Sequence, residues 1–426
     1  MNIVINPGRN EWNELLKRPY VDNRAVLESV QMILNAVRQH GDEALVSFTK
    51  KFDGVELNRL QVSSDELVQA EQQLPDSLKK AILQAKINIE TFHKKQLADK
   101  EVVETMPGIQ CWRKGVGIEK VGLYIPGGTA PLFSTVLMLG IPAKLAGCKD
   151  IILCSPSNKD GQIHPAILYA AQLVGVTKIF KVGGAQAIAA LAYGTEIVPK
   201  VYKIFGPGNQ YVTAAKQLVQ MEGVAIDMPA GPSEVCVIAD ETANPEFVAA
   251  DLLSQAEHGV DSQVVLVSTS DKVVHACVQQ LEAQLDKLPR KEIAQKALSH
   301  SRSFVFSTME EAIDLVNEYA AEHLIISCKD ADSIAEQITN AGSVFIGNYS
   351  PESAGDYASG TNHTLPTNGF ARAYSGVSID SFLKKITYQK LSKEGLQTIA
   401  ATVIEMAEAE GLLAHAEAVR VRIEPQ

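Results

Sequence analysis

Twice along this chain a short apolar strand gives way to a turn and then to a helix, and the unit repeats. The first run begins at Val121–Ile125 and continues through strands at 151–154, 178–182, 201–205 and 224–228. Helices near 131–146, 165–173, 185–192 and 210–221 separate them. The second run follows Pro229-Ala230-Gly231-Pro232, with strands at 235–238, 264–268, 304–307, 324–328 and 344–347. Strands separated by helices cannot pair as tight hairpins. Each crosses over to lie parallel to an earlier one, which builds a parallel sheet covered by helices. Two consecutive runs of similar size predict two doubly wound, Rossmann-like α/β units, in the form of an old duplication. A length of 426 residues is ample for roughly two to four domains.

The flanking segments read differently. Residues 1–20 form a short arm whose apolar anchors are Trp12, Leu15 and Leu16. From Asn23, Val26, Leu27, Val30, Leu34 and Val37 recur at helical spacing until Gly41 stops the run. A second helix covers 43–51, Ser63-x-x-Glu66 is a capping box opening a third, and a longer one runs over 77–96. After Gly347 a loop rich in Gly, Ser, Asn and Pro extends to about 376, too long for a simple connection and so a candidate for function. The tail, 378–426, reads as helical, with Ile399, Val403 and Met406 on one side. It has too little core to stand alone and is expected to pack on another subunit or domain.

Charge and cysteine usage exclude several classes. A net charge of −11 with no basic block disfavours nucleic acid and anionic membranes as partners. The six cysteines are scattered without a C-x-x-C, as expected of free thiols in a reducing compartment. Residues 1–10 hold no apolar leader core, and no apolar span of 18 residues occurs. The expectation is a soluble, cytoplasmic protein.

Chemistry concentrates in a few stretches. In Ser254-Gln255-Ala256-Glu257-His258-Gly259, Gln255 and His258 are three apart, on one helical face shared with Val248, Asp251 and Leu252. Asn244 and Pro245 suit the start of that helix and Gly259 a left-handed position after its end. Buried amide and imidazole groups need partners, and backbone groups satisfy them as readily as a metal does. Glu322-His323 offers an acid–base pair, although neighbours within a strand point to opposite faces. Taken alone, one buried histidine and one exposed glutamate is the simpler expectation. The loop adds Asp356 and His363, and the tail adds Glu410 and His415. Gln255, His258, Asp356 and a further histidine make an O, N, O, N donor set suited to zinc, manganese and ferrous iron being the other ions it would hold. Spacing leaves His323, His363 and His415 open as the last donor. The remaining histidines, His40, His93, His164, His275 and His300, sit at expected helix termini or in polar loops and suggest no chemistry.

Three glycine turns follow strands and precede helices: Pro126-Gly127-Gly128, Gly183-Gly184-Ala185-Gln186 and Gly206-Pro207-Gly208-Asn209. None is a G-x-G-x-x-G fingerprint, and any one of them is as well explained by tight packing as by phosphate binding. Three in one unit favour a nucleotide crevice. A zinc hydrolase with Glu322 activating water would leave these turns idle. A nucleotide-binding regulatory protein would leave Gln255, His258 and Asp356 idle.

Together these stretches resemble the histidinol dehydrogenase family. The resemblance rests on Gly122-Leu123-Tyr124-Ile125-Pro126-Gly127-Gly128, Gly183-Gly184-Ala185-Gln186-Ala187, Phe205-Gly206-Pro207-Gly208-Asn209, Met228-Pro229-Ala230-Gly231-Pro232-Ser233-Glu234, the Gln255/His258 stretch, Glu322-His323-Leu324 and the run from Ser353 to His363. They occur in family order from about residue 100 onward. The resemblance implies oxidation of L-histidinol to L-histidine through the aldehyde with reduction of two NAD+. It implies one zinc held by Gln255, His258, Asp356 and His415, and Glu322 and His323 as acid–base pair. Ser233, His363 and Glu410, with the zinc ligands and His323, would line the substrate, and Tyr124, Gln186 and Asn209 would contact NAD. It also implies an intertwined homodimer whose tail carries Glu410 and His415 into the partner's site. The implied units are 1–20, an arm; 21–123 with 233–377, the zinc and substrate domain; 124–232, the NAD-side domain; and 378–426, the tail.

Overall fold

The computed structural model describes residues 1–19, 24–127, 131–229 and 231–423. Asn23, Gly128 and Ala230, to which the sequence reading assigned a helix start and two turns, lie outside the described residues. Among the described residues, fourteen strands make three sheets. In chain order they are β1 (Asn2–Ile5), β2 (Val102–Met106), β3 (Ile109–Gly117), β4 (Lys120–Tyr124), β5 (Asp150–Cys154), β6 (Lys178–Phe180), β7 (Lys203–Phe205), β8 (Ala225–Ile226), β9 (Glu234–Ala239), β10 (Gln263–Ser268), β11 (Arg302–Val305), β12 (His323–Ser327), β13 (Ser343–Ile346) and β14 (Leu383–Leu391).

The expected pair of doubly wound parallel sheets is present. One is five-stranded, in the order β6-β5-β4-β7-β8, and the other six-stranded, β1-β11-β10-β9-β12-β13. In each, the chain first winds outward one way and then returns to the middle to wind the other way, reversing between β4 and β7 and between β9 and β12. Strands β9, β10 and β12 are buried throughout, as unbroken apolar runs in a parallel sheet should be.

Two expectations need correction. The arm is more than an anchored coil: Asn2–Ile5 pair with Arg302–Val305 and complete the six-stranded sheet, while Trp12 and Leu16 enter its core. The tail is helical only from Lys393, because Leu383–Leu391 first pair antiparallel with Ile109–Gly117 in a three-stranded sheet with β2. That pairing joins segments far apart in sequence, so no local signal announces it.

The assignment of 21–123 to the 233–377 unit also differs from the packing. An edge at 123/124 falls inside β4, the middle strand of the five-stranded sheet. The helical segment Arg24–Phe48, broken at Gly41 as expected, buries Val30, Leu34, Val37 and Leu45 against Ile152, Ile188 and Ile204 of that sheet and its helices. Helices Ser64–Gln73 and Asp76–Lys94 add Ala70, Ile82 and Ile89 to its other face. An amphipathic helix goes where an apolar face is free, and here that is the five-stranded sheet. Among the described residues no helix is long and apolar enough to cross a membrane.

Candidate active site

A cleft of about 990 Å³ separates the two parallel sheets. The five-stranded sheet presents its carboxyl edge, through the turn after β7 (Gly206, Asn209) and Asp227 after β8. The six-stranded sheet presents its amino edge, through Ser233 before β9 and Glu322 before β12. Open α/β sheets ordinarily bind ligands at the carboxyl edge. On the six-stranded sheet, Asp240 after β9 bridges to the end of β12 by accepting from Lys329 N at 2.8 Å.

Glu322 lines the cleft, and His323 lies beside it just behind the wall. The conflict posed by adjacent strand residues is resolved because Glu322 precedes β12 while His323 opens it. Contrary to the simpler expectation, both are buried, at 7% and 3% exposure. His323 Nδ1 lies 3.7 Å from Glu322 Oε2 and 3.3 Å from the Glu234 carbonyl oxygen. A carbonyl only accepts, so Nδ1 carries a hydrogen in either protonation state, and Nε2 is the nitrogen that gains and loses the second proton. Nε2 lies 3.4 Å from Asp356 Oδ1 but is not aligned with it as a hydrogen bond. Glu322 Oε2 accepts from Glu234 N at 2.9 Å and from Gln255 Nε2 at 3.3 Å. Burial pushes the Glu322 carboxyl above its usual range. Burial alone would lower His323, but Glu322, Glu352 and Asp356 outweigh it and hold the ring well above an ordinary imidazole.

The candidate metal donors surround this pair. Asn244 caps the helix Pro245–Ala256 by accepting from Glu246 N at 2.9 Å, as expected. The helix ends earlier than predicted, at Ala256, and Gly259 does not adopt the left-handed conformation. His258 N still reaches Gln255 O at 3.2 Å, and His258 lines the cleft while Gln255 lies buried behind it against Glu322. With Nε2 given to Glu322, Gln255 Oε1 is a buried acceptor lacking a partner, as is Asp356 Oδ1. His258 lines the cleft, and its pKa, lowered by burial, also feels the charges of Asp356 and His323. For Asp356, burial acts upward, but contact with His323 prevails and holds the carboxyl below its usual range. His363 Nδ1 donates to the Asp356 carbonyl at 2.9 Å, so Thr135 Oγ1 donates to Nε2 at 3.1 Å, and burial lowers its pKa. Glu410 and His415 are exposed and do not line the cleft of their own chain.

In the five-stranded lobe, Tyr124 ends β4 and its hydroxyl accepts from Gly184 N at 3.1 Å. Gln186 is buried in the helix that follows. Asn209 caps the helix Gln210–Met221, accepting from Tyr211 N at 3.1 Å and Val212 N at 3.2 Å. The turns also have packing reasons. A Cβ on Gly127 would fall 2.3 Å from Pro156 Cγ, and one on Gly206 2.0 Å from the Tyr124 carbonyl oxygen.

Several site residues escaped the sequence reading. Glu352 is buried, and one ligand atom from each of His323, Glu352 and Asp356 falls within 4.8 Å of the others. Its spacing of four from Asp356 was a usable signal, since both lie on the short helix Glu352–Tyr357. His93, expected to be inert, is buried with Nε2 3.3 Å from Asn362 Nδ2, fixing the loop before His363. Glu234, whose backbone grips both Glu322 and His323, has its carboxylate clasped by Arg18 of the arm at 2.5 and 2.9 Å. Arg18 also donates to Tyr319 O at 2.7 Å and lies over that ring at 4.3 Å. Arg18→Met would leave a buried carboxylate unpaired and should lower the unfolding free energy by about 3–5 kcal/mol in denaturant titration. A loss below about 1 kcal/mol would place the clasp among the weak surface pairs.

Fold and site together define a two-lobed α/β enzyme whose two doubly wound sheets face each other across a cleft, with a buried carboxyl–imidazole pair beside it. Residues 16–423 match the family model described as histidinol dehydrogenase. The chain belongs to the histidinol dehydrogenase family. It is 61% identical over 424 residues to the histidinol dehydrogenase of Bacteroides fragilis (strain YCH46), covering 100% of this chain and 99% of that protein. It is 52% identical to the histidine biosynthesis trifunctional protein of Komagataella pastoris, over 99% of this chain and 50% of that longer protein. The crystal structure of histidinol dehydrogenase from Elizabethkingia anophelis superposes with a TM-score of 0.98 at 56% identity, covering 99% of this chain and 98% of that one.

Proposed function

We propose that this chain oxidises L-histidinol to L-histidine through L-histidinaldehyde, reducing two NAD+, as the closing steps of histidine biosynthesis in the cytoplasm. The observation that carries the reading is the convergence of the Glu322–His323 pair with the unpartnered Gln255 Oε1 and Asp356 Oδ1, directly behind the cleft wall that Glu322, His258 and His363 form. A metal fits there on chemical grounds. Buried acceptors without donors are costly unless a cation meets them, and amide oxygen, carboxylate and imidazole are donors that zinc accepts. Gln255, His258, Asp356 and a partner-derived His415 would hold it. When bound, zinc supplies an anchor for the imidazole and amine of the substrate.

The chain's own groups then do the proton work. His323 Nε2 takes the hydroxyl proton as hydride passes from carbon to the nicotinamide. Glu322 takes a proton from the water that hydrates the aldehyde while protonated His323 returns one to the aldehyde oxygen, which frees Nε2 to serve again as base in the second hydride transfer. Ser233 and His363 border the substrate, with Glu410 supplied by the partner. Tyr124, Gln186 and Asn209 face the nucleotide at the strand-order reversal of the five-stranded sheet.

A homodimer is part of the reading. The tail displays Met406, Leu412 and Leu413 at 61%, 46% and 65% exposure, more apolar surface than so small a module leaves open to water. Glu410 and His415 lie on the same module and line no wall of their own cleft. Incubating zinc-loaded protein with NAD+ and histidinol should raise NADH absorbance, with two NADH formed per histidinol consumed. Absence of signal from metal-loaded protein would refute the assignment.

A further inference from the structure

A buried charge pair stands in the nucleotide wall of the cleft. Lys216 and Asp227 both border it, yet their side chains are only 7% and 2% exposed. They are in direct ionic contact, and together they grip one glycine of the turn after β7. Lys216 Nζ donates to the Gly206 carbonyl at 2.9 Å, and Gly206 N donates to Asp227 Oδ2 at 2.8 Å. Asp227 Oδ1 also accepts from Met228 N at 2.9 Å. Gly206 has φ +128°, a conformation that L side chains rarely adopt, and a Cβ there would fall 2.0 Å from the Tyr124 carbonyl oxygen. The neighbouring helix positions, Val212, Ala214, Ala215 and Val219, are buried and apolar. Two charges in such a wall add little stability that apolar residues of similar volume would not give. What they do provide is a fixed direction for both polar groups of Gly206, and so for Tyr124 and Asn209 on either side.

We propose that Lys216 and Asp227 are positioning residues for the nucleotide. They hold the Gly206–Asn209 turn against Tyr124 in the shape that NAD+ binds. The inference rests on the reading that NAD+ lies against this turn. The double variant Lys216→Met/Asp227→Asn removes both charges, keeps their volumes and leaves an acceptor for Gly206 N. In the zinc-loaded full-length enzyme, KM for NAD+ should rise about tenfold, the scale of one lost hydrogen bond. The kcat at saturating NAD+, KM for histidinol and zinc content should change by less than about twofold. A lowered unfolding midpoint with KM for NAD+ unmoved would show a purely structural pair and overturn the proposal, as would a fall in kcat alone. If the double variant does not fold, Lys216→Arg decides. Its broader planar fork cannot reproduce both ammonium contacts, to Asp227 and to the Gly206 carbonyl, so KM for NAD+ must rise severalfold, and an unchanged KM overturns the proposal. Asn209→Ala separates the two layers. If it leaves KM for NAD+ unchanged while the double variant raises it, the role given to Asn209 is wrong and the clamp stands. If neither moves it, both fail.

Discussion

Replacing His323 by Asn should lower the rate of NADH formation by about 10²–10⁴-fold while metal content stays at the level of the parent protein. The expectation follows from where the two ring nitrogens point. Nδ1 is used by the Glu234 carbonyl, which leaves Nε2 as the only basic position on the ring. Asn can keep the link to Glu234 but offers no basic nitrogen, so it removes the proton acceptor and spares the scaffold. The competing assignment is concrete, because His323, Glu352 and Asp356 could themselves hold an ion. Elemental analysis alongside initial rates tells the two apart: metal lost together with activity makes His323 a ligand, and a rate within a few-fold of the parent removes it as the base.

The parts of this site that the sequence reveals are those set by local periodicity. Gln255 and His258 are brought together by one helix end, and the paired sheets follow from strand–helix alternation, so both were legible. Glu322-His323 was legible as a pair but not as a geometry. Whether both side chains share a pocket depends on where β12 begins, and a one-residue shift reverses the answer. Contacts between distant segments left no local trace. Arg18 reaches Glu234, β1 joins β11, and β14 joins β3 across hundreds of residues. The helices over 24–94 could have covered either sheet by their apolar stripes, and tertiary packing alone decides for the five-stranded one. Glu352 is a different kind of miss, since its spacing from Asp356 was visible and only its burial was not.

Mixing two inactive variants should restore activity, and the amount restored is itself diagnostic. In the proposed dimer each site combines the floor of one subunit, with Gln255, His258, Glu322, His323 and Asp356, and the tail of the other, with Glu410 and His415. His323→Asn spoils the floor, whereas His415→Ala spoils the tail and should weaken metal retention. Each homodimer therefore carries two defective sites. A mixed dimer carries one site with both defects and one built from the sound floor of the His415→Ala chain and the sound tail of the His323→Asn chain. Random exchange makes half of the dimers mixed, so about one quarter of parental activity should return. Separately purified chains are exchanged by mild denaturation and dilution, then assayed for NADH formation with zinc present. The observation behind this expectation is that His415 and Glu410 are exposed and absent from the walls of their own cleft. Activity that stays at the level of the unmixed variants after confirmed exchange would place His415 in its own chain's site or outside the site altogether. Unchanged zinc retention in His415→Ala would remove it from the ligand set whatever the mixing shows.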